Sequence, residues 1–194
     1  MSDTSLEDFL AQGKTRRVVP VVRRVFADSE TPMGLYRKLA SGPGSFLLES
    51  ADQAGKWSRY SFLGVSVHGV LTVDNGRARW INRGMSEEVA FGEKVPRKPL
   101  AALHMLSDRW LSDPVEGLPP FGGGLVGHLG WEMVRELETL PNQPPSSHEV
   151  PAIYMSLVQD FVAFDHHTSE VVMVAQVHAY DGVSAEDYAL AVTR

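Results

Sequence analysis

The spacing of apolar residues divides the chain into strand-like and helix-like stretches. Thr4 and Glu7 stand at capping-box spacing ahead of Phe9 and Leu10, which predicts a short helix ending at Gly13. β-Branched residues cluster in RRVVPVVRRVFA (16–27) and predict a strand, which Pro20 confines to an edge or a bulge because proline has no amide N–H to donate. Thr31 as N-cap, Pro32 in the first turn and Met33, Leu35, Tyr36 and Leu39 along one side predict a second helix, stopped by Gly42-Pro43-Gly44.

SFLLES (45–50) and RYSFLGVS (59–66) read as strands. HGVLTVDNGRARWIN (68–82) reads as a hairpin, since Asn75-Gly76 suits a tight turn whose two central residues need positive φ. Between Asn82 and Lys98 the pattern becomes polar and predicts a connection. Pro99 then opens a helix with Leu100, Leu103, Leu106 and Trp110 on one face. SDPVEGLPPFGGG (112–124) is expected to be an ordered turn region. GWEMVRELETLP (130–141) is read as a helix with Met133, Val134, Leu137 and Leu140 inward. Two long strands follow around DHHTS (165–169), and Ser184 with Asp187 opens a final helix. A helix of about ten residues is marginal alone and needs an apolar partner, so the chain is expected to continue past Arg194. Helices set among antiparallel hairpins predict the α+β class.

The length of 194 residues suggests one domain, and 43% apolar with 22% charged residues is a globular rather than a disordered composition. Eighteen Lys and Arg against 24 Asp and Glu leave a formal charge of -6, with basic residues scattered apart from Arg16, Arg17, Arg23 and Arg24. That argues against a nucleic-acid partner, which needs a clustered positive face. The absence of cysteine excludes disulfides, thiolate chemistry and Cys-ligated zinc. The acidic N-terminus has no apolar signal core, and no apolar run reaches membrane-spanning length, so no membrane partner and a cytoplasmic location are expected.

Few residues suggest chemistry. His166-His167 lies in an expected turn where adjacent rings point apart, and His68, His104 and His128 are isolated. GGGLVGHLG (122–130) lacks the Lys-Ser/Thr of a phosphate loop and is expected to be a close-packed turn. No nucleophile elbow or HExxH stands in the chain, and nothing in it supports catalysis. The informative stretch is FLLESADQAGKWSRYSFLG (46–64), where an apolar run ends on Glu49 and Ser50 and resumes behind Arg59. An amino acid bound there needs an acceptor for its ammonium, met by Glu49 or Ser50, and donors for its carboxylate, met by Arg59. Leu47, Leu48 and Phe62 would serve as walls. The alternative is a solvated ion pair between Glu49 and a cross-strand Arg59, the commoner arrangement on a surface.

Four segments, SETPMGLYRKLA, FLLESADQAGKWSRYSFLG, PPFGGGLVGHLGWEMVRELETLP and DFVAFDHHTSEVVMVAQV, together resemble component I of anthranilate synthase, of bacterial type, within the chorismate-using enzymes. They follow the family's order and span nearly the whole chain. The resemblance implies that residues 1–194 are the N-terminal, regulatory region of a longer enzyme and inactive alone. The absent half is expected to bind chorismate and Mg2+ and to carry the catalytic residues, with no cofactor in this part. A glutamine amidotransferase subunit, component II, is the implied partner. The family's reaction converts chorismate and ammonia or glutamine to anthranilate and pyruvate, the first committed step of tryptophan synthesis, and L-tryptophan feeds back at the LLES segment.

Residue by residue, the resemblance places Ser50 and Glu49 at that tryptophan site with Leu48 beside them, and Arg59 near a basic pocket position. PAIYMS (151–156) is similar in look to a second pocket segment of the family, but that segment belongs to the absent half and no role is transferred. The family usually has an aromatic residue at His128 and Tyr-Asp at Trp131-Glu132. The implied fold is α+β, with antiparallel strands in β-sandwich-like layers flanked by helices, and a separated N-terminal part is expected to expose apolar surface and strand edges. Aminodeoxychorismate synthase component I, or a stand-alone amino-acid-binding or subunit-docking module, are the alternatives.

Overall fold

In the computed structural model, residues 2–40, 42–49, 59–142 and 150–194 are described. The elements are α1 (Leu6–Gln12), β1 (Val18–Phe26), α2 (Pro32–Leu39), β2 (Phe46–Leu48), β3 (Tyr60–Asp74), β4 (Arg77–Asn82), α3 (Glu87–Phe91), α4 (Pro99–Trp110), β5 (Leu125–Leu129), a 3₁₀ helix at Trp131–Glu136, β6 (Ile153–Asp165), β7 (Glu170–His178) and α5 (Ala185–Thr193). The strands form an antiparallel sheet in the order β1-β7-β6-β3-β2, with β4 on β3 and β5 on β6. The chain is α+β, as expected; among the described residues the strands form one sheet. Two compact units divide it: Met1–Val67, Trp110–Gly123 and Val158–Arg194 make the first, and His68–Arg109 with Gly124–Leu157 the second.

In the first unit, Pro20 stands on β1, which among the described residues pairs only with β7 and so is the edge its missing donor requires. The exposed edge is laced by the N-terminus. The Asp3 amide donates to the Val22 carbonyl, the Val22 amide donates to Thr4 Oγ1, and the Arg24 amide donates to Asp3 Oδ2. This use of Thr4 corrects the expected cap. Ser5 caps α1 instead, accepting from the Asp8 amide at 3.0 Å. Phe9, Val19, Val21, Val177 and Ala191 form one core, in which α5 packs on α1 and β1. The Tyr188 ring lies 5.5 Å from Phe9 and its hydroxyl donates to the Thr4 carbonyl. The capping box of Ser184 and Asp187 forms as read, and α5 finds within this chain the apolar partner that a short helix needs. A second core gathers Leu35, Leu63, Val162, Phe164 and Val171 under α2, whose Thr31 cap accepts from the Gly34 amide.

In the second unit, the β3–β4 hairpin turns at Asn75 (φ 49°) and Gly76 (φ 71°), as its sequence predicts. What reads as two strands on either side of Val67 is one 15-residue strand. The stretch read as a polar connection contains α3, capped by Ser86 and ended by left-handed Gly92, and Phe91 packs edge-on against Trp80 at 5.6 Å. Two further readings are corrected. Gly122–Gly130 is not a turn throughout: residues 125–129 are β5, and a Cβ at Gly127 would overlap the Tyr154 carbonyl oxygen. GWEMVRELETLP forms only a 3₁₀ helix, with Met133 buried and Leu137 75% exposed, so its apolar side does not turn inward as a whole.

A candidate aromatic ligand site

Strand β2 pairs with β3 in the register Phe46↔Gly64, Leu47↔Leu63 and Leu48↔Phe62. Because side chains alternate across a strand, Leu47 and Leu63 enter the core beneath α2 while Phe46, Leu48 and Phe62 share the other face. Gly64 makes room there, since a Cβ would run into the Phe46 ring. Phe121, from the loop after α4, completes the arrangement. Its ring lies 6.2 Å from Phe46, 5.2 Å from Phe62 and 5.0 Å from Phe161, in tilted or edge geometries that the ring quadrupoles favour. Phe161 is buried, the other three rings are half-buried, and Leu48 at the margin is 45% exposed. The result is a half-open shelf of rings with a leucine at its rim.

Tyr60 extends the shelf, 6.0 Å from Phe62, and leads to a charged corner. The Arg59 guanidinium lies 4.9 Å from the Tyr60 ring centroid and grips Asp165 with two nitrogens, Nε at 3.1 and 3.0 Å and Nη2 at 2.6 Å. Asp165 Oδ1 also accepts the His167 amide at 2.9 Å. Burial pushes the Asp165 carboxyl up, but the Arg59 hydrogen bonds and the His167 amide outweigh it and hold the pKa below the usual carboxylate value. Burial likewise raises the Tyr60 phenol, with the Asp165 charge adding to it. Next to this corner Ser61 Oγ and His166 Nε2 share a hydrogen bond of 2.7 Å.

Of the residues read from the sequence, Leu48 lies at the rim and Glu49 follows it, exposed. Ser50 falls outside the described residues. Arg59 lies against the Tyr60 ring, and among the described residues its ion-pair partner is Asp165 and not Glu49, which corrects the pairing expected in the surface alternative. Asp165, Phe121 and Phe161 were missed. Their only local signals are an acid ending the apolar run FVAFD and a phenylalanine between Pro120 and a glycine run. Among the described residues, no three His, Asp or Glu side chains gather as a metal site, and no helix is long and apolar enough to cross a membrane. The shelf can hold a flat apolar group, and the corner offers charge beside it.

No family model matches the chain. In fold it is an antiparallel α+β region of the kind seen in the crystal structure of anthranilate synthase component I from Streptococcus pneumoniae TIGR4, at a TM-score of 0.53 and 23% identity, covering 88% of this chain and 35% of that one. Sequence relatives are closer. The chain is 41% identical over 180 residues to anthranilate synthase component 1 of Arthrobacter globiformis and equally to that of Mycolicibacterium smegmatis, covering 92% of this chain and 33% of each relative. That of Pseudomonas putida is 35% identical over 167 residues. The chain is homologous to anthranilate synthase component 1 and spans about a third of the length of these relatives.

Proposed function

We propose that this chain is the N-terminal, regulatory region of an anthranilate synthase component I and that it holds L-tryptophan as a feedback ligand. The observation that carries the reading is the ring shelf of Phe46, Phe62 and Phe121 ending at Leu48, directly before Glu49 and Ser50, in a chain 41% identical to such synthases over 92% of its length. An indole stacks on half-buried rings for the same reason the rings pack on one another. Glu49 accepts from the ligand ammonium, Ser50 adds a hydrogen bond, and Leu48 lies against the indole. Arg59, already neutralised by Asp165, attracts the ligand carboxylate less than a bare guanidinium does; its role is to shape the corner.

The complete enzyme then converts chorismate and ammonia or glutamine to anthranilate and pyruvate in the cytoplasm. Mg2+ and the catalytic groups belong to the remainder, and a glutamine amidotransferase is the component II partner. Tryptophan inhibits by binding one conformation better than another, and that difference sets the limit of inhibition. The test is anthranilate fluorescence of the full-length enzyme against rising tryptophan. Ser50→Phe is expected to raise the half-inhibiting concentration at least tenfold, and an unchanged inhibition curve overturns the site.

A further inference from the structure

We propose that Phe121 is a ligand-contacting residue of the ring shelf, and that the strap Phe121–Gly124 reports occupancy of the shelf by shifting against Gln176. The inference rests on the tryptophan reading above and adds a contact residue together with the strap behind it. Phe121 touches rings from β2, β3 and β6, so a flat ligand laid beside Leu48 and Phe62 must meet it. Behind the ring the strap has open space beside two of its glycines. Gly122 and Gly124 have nothing within 4 Å of where a Cβ would stand, and Gly123 (φ 98°) and Gly124 (φ 96°) take conformations that L side chains rarely adopt. The tether is Gln176 on β7, only 2% exposed, whose Nε2 donates to the Gly122 carbonyl and whose amide fills the space a Gly123 Cβ would need.

Gln176 Oε1 is buried and has no hydrogen-bond partner among the described residues. A buried acceptor left unmade is unfavourable, and a strap moved so that one of its own amides donates to Oε1 satisfies it. The same glutamine therefore supports two strap positions, the kind of two-state element through which a site can be coupled to a distance.

The test uses the complete synthase with L-tryptophan as probe, measuring affinity by calorimetry and inhibition by anthranilate fluorescence in the same preparations, with folding checked by circular dichroism. Phe121→Leu is expected to weaken binding about fivefold, the loss of one ring contact. Gln176→Leu is expected to keep the affinity within about twofold and to lower the maximal inhibition at saturating tryptophan to less than about half of the wild-type value. A purely structural role for Gln176 would move both together. Gly122→Ala, whose added Cβ meets no neighbour and whose backbone is not left-handed, restricts the strap, so it is expected to act like Gln176→Leu and serves if that variant does not fold. Wild-type affinity in Phe121→Leu, or full inhibition in both strap variants, overturns this inference alone. Absence of tryptophan binding to the wild type overturns it together with the reading on which it rests.

Discussion

Asp160 and Asp165 stand on the same strand, β6, and their surroundings drive them in opposite directions. Asp165, 4% exposed, is gripped by two nitrogens of Arg59 and by the His167 amide, and its pKa falls although burial works against it. Asp160 is pushed up by burial, and its Ser66 hydroxyl at 2.5 Å and the Arg194 Nε at 3.1 Å do not make up the loss of water. Partner geometry decides the difference. A two-nitrogen grip with a backbone amide holds a carboxylate charged inside the fold, whereas one hydroxyl and one guanidinium nitrogen do not.

The largest expected effect is at the gripped end. Asp165→Ala leaves the Arg59 guanidinium without its anion beside the ring shelf and should lower the melting temperature by about 5 °C or more at pH 7. Equal melting of variant and wild type would show that the grip is not stabilising. Acid should reveal the next effect. Because its folded pKa is depressed, Asp165 contributes stability that is complete above about pH 4 and is lost as pH falls through the folded pKa, so variant and wild type should converge there. Asp160 has the opposite sign. Its raised pKa makes the folded state bind the proton first, so its contribution grows as pH falls toward about 4 from above.

Asp160→Asn keeps an acceptor for Ser66 and removes a poorly compensated charge, so urea unfolding at pH 7 should shift by no more than about 1 kcal/mol. Its curve should also lose the rise in stability on mild acidification. A cost comparable to that of Asp165→Ala would erase the contrast. The smallest change is expected for Arg194→Gln, at about 0.5 kcal/mol, because that guanidinium is 31% exposed and meets Asp160 through one nitrogen.

Much of the fold was legible because its signals are local. Asn75-Gly76 turns a hairpin, Thr31-Pro32 starts a helix and Ser184-Asp187 closes a capping box through atoms a few residues apart. Readings failed where a local signal met a distant competitor or fell short in length. Thr4 was taken by the edge of β1, leaving the cap to Ser5. Five-residue α3 gives too little periodicity to stand out, and the apolar residues after Trp131 were not drawn into a full helix.

The same division runs through the site. The sequence by itself determined that an apolar run ends at Leu48 and Glu49, that aromatic residues flank it, and that Arg59 follows. Only the tertiary structure decided that Arg59 pairs with Asp165, 106 residues away, and that Phe121 from a proline- and glycine-rich loop joins Phe46, Phe62 and Phe161. The physical reason is range. Turn and cap energies depend on backbone atoms within one or two turns of the chain, whereas a buried charge takes whichever opposite charge the sheet register sets beside it, and a ring takes whichever rings the loop brings within reach.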